Sequence, residues 1–272
     1  MNPSTRLLIT IAIVFSTFTN ATHGSQTSCP EHFTGGTAPE IVNEKLAVMT
    51  RELCNSGYGT LHSGLTRTPL YAGEHLTREH LIQGKGLKRQ SQFHADDRLP
   101  HTERAELNDY ARSGYDRGHL APSGDMFDLQ SQHETFALSN MIPQEPSVNR
   151  GVWERIESKV RQIAKARGEL FVVTGPLYQG ADLKRIGSRV LVPTAIFKAV
   201  FEPARNEAGA YVVENTPGAE PQIVSIANLN RLTGLDVFPT VSSQVKNRTM
   251  QLPIPKPRKG KGIELHGGRY DK

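Results

Sequence analysis

Three short stretches hold the residues whose types and spacing could do chemistry together: Tyr115-Asp116-Arg117-Gly118-His119, Ser139-Asn140-Met141-Ile142-Pro143-Gln144, and Val148-Asn149-Arg150-Gly151-Val152-Trp153-Glu154-Arg155-Ile156-Glu157. A histidine, with an ordinary pKa of ~6.5, takes a proton from water near neutral pH. An arginine neutralises a crowded phosphate, and an amide oxygen helps hold a hard metal ion. Arg117, His119, Asn140, Asn149 and Glu157 are thus the parts needed to hydrolyse a phosphodiester. Taken singly, each has a plainer reading. A lone histidine is more often structural, Asn149 can be only a helix N-cap, Arg117 can be half of a salt bridge with Asp116, and Glu157 can lie on a solvated helix face.

The elements that must position these residues alternate between strand-like and helix-like pieces, an α+β pattern. The clearest helix begins near Asn149, where Val152, Ile156, Val160 and Ile163 recur at spacings of four, four and three. It should bury that stripe and end at Gly168. Leu170 to Thr174 is a continuous apolar run stopped by Gly175-Pro176, the signature of a buried strand. Tyr58 to His62 and Leu70 to Ala72 read as short strands around a turn at Ser63-Gly64, and Val190 to Val192, Ala195 to Phe201 and Ala210 to Val213 as further strands. Ile41 to Leu53 has a loose helical pattern, and Ile223 to Leu232 reads as a helix with Gly234 behind it. No repeat or linker divides residues 30 to 250, so one domain is expected.

The chain has 272 residues, 37% apolar and 22% charged, which excludes a disordered chain and a multi-span membrane protein. Its net charge of +5 leaves room for a polyanionic partner. Arg6 is followed by an apolar run from Leu7 to Phe18, broken only by Thr10, Ser16 and Thr17, and then by small residues around Ala21 and Gly24. This reads as a secretory signal peptide over residues 1–24 and predicts a periplasmic or secreted protein with no stable membrane association after cleavage. A single domain over 25–252 and a basic, Pro/Gly-rich tail over 253–272 follow. Lys256, Arg258, Lys259 and Lys261 of that tail can touch phosphates non-specifically, or the tail is solvated and without function. Cys29 and Cys54 are the two cysteines of the chain. In an oxidising compartment they can pair across a loop of about 25 residues, contributing ~3 kcal/mol, and two free thiols are the alternative. His75 and His80 are five apart, where two helical zinc ligands sit four apart, so they read as surface.

Residues 115–157 resemble the DNA/RNA non-specific endonuclease family, relatives of the secreted Serratia nuclease and of mitochondrial endonuclease G, whose hallmark is Asp-Arg-Gly-His in a ββα-metal core. The intervals agree as well as the letters: 21 residues from His119 to Asn140, 9 from Asn140 to Asn149 and 8 from Asn149 to Glu157. The likeness continues through Val173-Thr174-Gly175-Pro176-Leu177-Tyr178, Val192-Pro193-Thr194 with Phe197-Lys198, and Arg231-Leu232-Thr233-Gly234-Leu235.

That resemblance implies an α+β fold in which a mixed central sheet is flanked by helices and carries a ββα-metal catalytic core. It implies that His119 is the general base on water, Asn149 the direct metal ligand, Arg117 the phosphate-binding cation, Asn140 a residue that places or polarises groups at the site, and Glu157 the holder of metal-bound water. Eight residues of helix rise ~12 Å, so Glu157 would reach an ion on Asn149 only through water. Asp116 would be a structural partner. Mg²⁺ is the implied metal, with Mn²⁺ as the substitute. Some members carry another phosphate-contacting arginine ahead of the first strand, where Cys54 falls here, and Arg67 in a neighbouring loop is the substitute considered. The implied protein is an exported endonuclease acting on DNA and RNA with 5′-phosphate products. A non-catalytic exported DNA-binding protein with the same fold is the rival, and a nuclease restricted to RNA or single strands a third reading. A homodimer is left open, and nothing in the sequence points to an inhibitor protein.

Overall fold

The computed structural model describes residues 27–255. At its centre lies an antiparallel sheet, seven strands among the described residues, in the order Gln222–Val224, Glu207–Glu214, Ala195–Glu202, Glu169–Leu177, Thr68–Thr77, Gly59–Ser63 and Thr50–Cys54. The middle strands are covered on both faces, so they read as near-continuous apolar runs instead of alternating ones. One face, with Val172, Ile196 and Val200, packs under Trp153, Ile156 and Val160. The other, with Val173, Phe197 and Phe201, packs against Ile226 and Leu229 of the helix Ile226–Thr233 and Val245 of the helix Ser243–Asn247. The α+β expectation therefore holds, but the central sheet expected to be mixed is antiparallel in every ladder, as short return connections between several neighbouring strands allow.

The helix anticipated near Asn149 is present as Glu154–Arg167 and ends at Gly168, whose φ of 105° is a conformation that side chains resist. Its first turns differ from expectation. Val148–Trp153 is π-helical, an insertion that occurs often at functional sites. Asn149 is not an N-cap, because its backbone N–H already donates to the Glu145 carbonyl at 2.9 Å.

Two other expectations are corrected. Residues 41–53 form no helix: a 3-10 turn at Glu44–Leu46 is followed by the strand Thr50–Cys54, with Val42, Val48 and Met49 exposed. The apolar stripe has no surface to pack on, whereas the strand completes the sheet on Gly59–Ser63. The helix read over Ile223–Leu232 is split, because Gln222–Val224 joins the sheet edge and Ser225, accepting from the Asn228 N–H, starts the helix only at Ile226. Gly234 closes it in the left-handed region, as anticipated.

Cys29 and Cys54 form a disulfide across 25 residues, tying the N-terminal segment to the edge strand. Residues 1–24, and all of 253–272 beyond Pro255, lie outside the described residues. No helix among the described residues is long and apolar enough to cross a membrane.

Candidate active site

Asp116–His119 and Met141–Gln144 form a two-stranded antiparallel hairpin, with His119 opposite Met141 and Gly118 opposite Ile142. Strand alternation sends Arg117 and His119, two apart, to one side. The glycine between them is required by close approach: a Cβ on Gly118 would lie 2.0 Å from Oε1 of the buried Gln144. The His119 ring stands edge-on to Phe136 at 5.0 Å, with Phe93 5.8 Å away on another side. Its Nε2 is shut from solvent and has no hydrogen-bond partner among the described residues. Burial, reinforced by the charge of Arg89, pushes its pKa down to about 3. The imidazole is therefore neutral well below the ~6.5 of an ordinary histidine and ready to accept a proton.

Asp116 ties the hairpin to the π-helical turn. It accepts from Asn149 Nδ2 at 2.9 Å and from Arg150 Nε at 2.8 Å, so it is a structural partner, and the salt bridge considered with Arg117 is not formed. A carboxylate accepts only, so it fixes which end of the Asn149 amide it meets and leaves Oδ1 as the end free to face the cleft. An amide oxygen presented this way, with the carboxyl of Glu157 lining the same cleft, is an all-oxygen donor set that fits a hard divalent cation.

The cleft has a volume of about 660 Å³, and Arg89, Arg112, Arg117, Arg150 and Arg161 line it together with His119, Asn149 and Glu157. Arg117 stacks over Phe93 at 4.3 Å, which orients its guanidinium without consuming its N–H donors. Arg161 is held by Asp125 through a 2.6 Å bond from Nη1 to Oδ1. Burial pushes the Glu157 carboxyl up to about 7, against the pull of Lys198 and Arg161, with Asp125 and Glu154 adding to the rise.

The structure thus brings Arg117, His119, Asn149 and Glu157 to one cleft and leaves Asn140 outside it. Asn140 is fully buried: its Oδ1 accepts from Ala121 N at 3.0 Å, and its Nδ2 donates to the carbonyls of Ala121 and Thr135. With both ends committed to backbone it cannot polarise a substrate, and the role expected of it is corrected to that of a splint behind His119. Cys54 sits in the disulfide, and Arg67 is outside the cleft with its Nη1 buried near Arg189 and Asp109. Neither replaces the additional arginine. Arg89, from the irregular segment before Phe93, lines the cleft instead, 5.1 Å over Phe136. His75 pairs with Glu169 on a strand while His80 stacks on Phe127 from a helix, so they form no joint site.

Arg89 and Arg161 were missed in the sequence. Arg161 had a signal: Arg150, Glu154, Glu157 and Arg161 fall at helical spacing and form the polar counterpart of the apolar stripe. Arg89 had none, because it lies in no periodic element.

A profile of the DNA/RNA non-specific endonuclease family matches residues 38–244. Among curated proteins, Nuclease 1, mitochondrial, of Schizosaccharomyces pombe is 36% identical over 211 residues, covering 69% of this chain and 66% of its own length. Nuclease EXOG, mitochondrial, of Homo sapiens is 32% identical over 73% of this chain and 60% of its own length. Endonuclease G, mitochondrial, of Bos taurus is 31% identical over 76% of this chain and 75% of its own. The match to the first two thus spans less than two thirds of their length. A solved chain from the EndoG/EndoGI complex, described in terms of EndoG inhibition, superposes with a TM-score of 0.68 at 27% identity, covering 77% of this chain and 96% of that one. These curated relatives are mitochondrial, which overturns the expectation of a periplasmic or secreted protein. A basic residue followed by a short apolar run does not by itself specify which membrane system it addresses. With the matched region covering most of the chain, and with the Asp-Arg-Gly-His hairpin and the Asn149 turn meeting in one cleft, the chain belongs to the DNA/RNA non-specific endonuclease family.

Proposed function

We propose that the chain is a metal-dependent endonuclease that hydrolyses phosphodiester bonds of DNA and RNA with little sequence preference and leaves 5′-phosphates. One observation carries the reading: the neutral imidazole of His119 shares an arginine-lined cleft with the Asn149 amide that Asp116 orients. Asn149 would hold the metal, Mg²⁺ or, in its place, Mn²⁺. Bound there, the ion supplies positive charge that stabilises the phosphate as its negative charge builds.

The protein's own groups do the rest. His119 accepts a proton from water as the water oxygen attacks phosphorus, and the bond to the 3′ oxygen breaks, that oxygen taking a proton from water in the cleft to leave as a hydroxyl. Arg117, stacked on Phe93, and Arg161, steadied by Asp125, hold the phosphate oxygens, while Arg89 adds charge at the rim. Glu157 accepts a hydrogen bond from water in the cleft. A site that grips phosphates contacts what every sequence shares, which accounts for low sequence preference. The catalytic unit is a single domain over 25–252, and the basic tail over 253–272 adds further phosphate contacts.

The test is incubation of purified protein with supercoiled plasmid and with RNA, in Mg²⁺ and in EDTA, beside His119→Ala. Metal-dependent degradation that falls by about 10²- to 10⁴-fold in the variant is expected. Intact plasmid in every metal condition, with gel shifts that report binding, would overturn catalysis in favour of a nucleic-acid-binding protein.

A further inference from the structure

Lys198 lies in the middle of the strand Ala195–Glu202, opposite Thr174 on one neighbour and Tyr211 on the other. It points into the apolar face that packs under the helix Glu154–Arg167, and it is 1% exposed. An ammonium in such a place is costly unless it is bonded and opposed by charge. Its Nζ donates to Thr174 Oγ1 at 2.6 Å and to the Leu120 carbonyl at 3.5 Å, and it lies 5.8 Å from the centre of the Trp153 ring. Leu120 directly follows His119, and Trp153 lies between Asn149 and Glu157.

The charged groups around Lys198 come from three elements: Glu74 on the strand Thr68–Thr77, Asp125 on the turn Ser123–Asp125, and Glu157 with Arg161 on the helix. Asp125 is taken by Arg161. Glu74 is completely buried, and neither of its carboxyl oxygens has a hydrogen-bond partner among the described residues. Burial and the neighbouring Asp125 push its pKa well above the carboxylate range, against the pull of Lys198.

We infer that Lys198 is a positioning residue for the catalytic centre, holding the backbone that follows His119 from below. The inference rests on the nuclease reading above. Lys198 is buried beneath the cleft and touches no substrate. It acts on His119 through Leu120, whose N–H is meanwhile bonded to the Asn140 carbonyl at 3.0 Å, so the residue after the base is pinned at both its polar groups.

The experiment compares wild type, Lys198→Met and Thr174→Val for kcat and KM on plasmid at saturating Mg²⁺. For each it also measures Tm and the His119 ring resonances in metal-free protein. Lys198→Met should lose kcat by about 10- to 100-fold with little change in KM, as when a group supporting a ligating or reacting residue is removed. Its Tm is expected to fall, because removing one member of a buried charged cluster leaves the others uncompensated, so kcat is taken per folded molecule at a temperature well below Tm. The His119 resonances should move in the absence of metal. Thr174→Val matches volume and removes only the 2.6 Å acceptor; a loss of about 3- to 10-fold in kcat is expected, and this variant decides the matter if Lys198→Met does not fold. Wild-type cleavage matched by both variants, or a kcat loss that only tracks a lowered Tm with unmoved His119 resonances, would overturn the inference alone. A wild type that does not cleave would overturn the nuclease reading and this inference with it.

Discussion

Toward the helices Ile226–Thr233 and Ser243–Asn247, the strands Glu169–Leu177 and Ala195–Glu202 present Val173, Phe197, Ala199 and Phe201. Toward the helix Glu154–Arg167, the intervening positions of the same strands present Val172, Ile196 and Val200, but also Thr174 and Lys198, with Glu74 from the next strand. Both faces are buried. The first is apolar throughout and is repaid in hydrophobic stabilisation, while the second gives up part of that stabilisation to place charge under the cleft. Because successive side chains of a strand alternate between faces, one segment of eight residues serves both ends, stability with its odd positions and the site with its even ones.

If this division is correct, substitutions on the two faces should separate stability from catalysis. His119→Ala, above the charged face, should cost about 10²- to 10⁴-fold in cleavage rate while Tm, followed by circular dichroism, stays nearly unchanged. Removing a buried, unpartnered nitrogen relieves a desolvation cost that offsets the ring packing lost against Phe136 and Phe93. Phe197→Ala, on the apolar face, should do the reverse: a loss of about 3–5 kcal/mol in denaturant unfolding, with kcat per folded molecule within about twofold of wild type. A Phe197→Ala enzyme that folds but has lost its chemistry would break the comparison. Removing the disulfide with Cys29→Ser and Cys54→Ser belongs with the second class. It should cost ~3 kcal/mol by releasing a loop of 25 residues and leave kcat untouched.

The pH dependence sharpens the same contrast at smaller amplitude. His119, at about 3, and His32 and His62, each lowered mainly by burial, all have folded-state values below the ordinary ~6.5. The unfolded chain then takes up protons first as pH drops. Their contribution is fully present above ~6.5 and is lost progressively from there down to each folded value. Unfolding free energy measured from pH 7 to 4 should therefore fall, and less steeply in His119→Ala. Cleavage should show no His119 limb near 6.5, since that ring is already neutral there. Raising salt should weaken cleavage through KM, because the arginines of the cleft meet phosphate electrostatically, and a KM indifferent to ionic strength would count against them.

The strands Glu169–Leu177 and Ala195–Glu202 and the helix ending at Gly168 were legible because each has strong periodicity or a clear stop. The segment 41–53 was misread because a loose helical stripe is weak beside an open sheet edge, and 223–232 because a short edge strand precedes the helix. In the site, Arg117, His119, Asn149 and Glu157 were legible through motif and spacing. Asn140 was legible only as a member of the pattern: the sequence could not show that both ends of its amide would be consumed by backbone at Ala121 and Thr135.

By itself the sequence determined the family and the residues that meet in the cleft, Arg117, His119, Asn149 and Glu157, because the Asp-Arg-Gly-His hairpin and the helix after Asn149 are local and their letters and intervals sit within one stretch. Only the tertiary structure decided which charges meet. Lys198, Glu74 and Arg89 come from elements far apart in the chain, and each enters the site's neighbourhood through sheet register or an irregular crossing that no local pattern announces. The His119 pKa was likewise invisible in the sequence, since it is set by what surrounds the ring after packing and not by the ring itself.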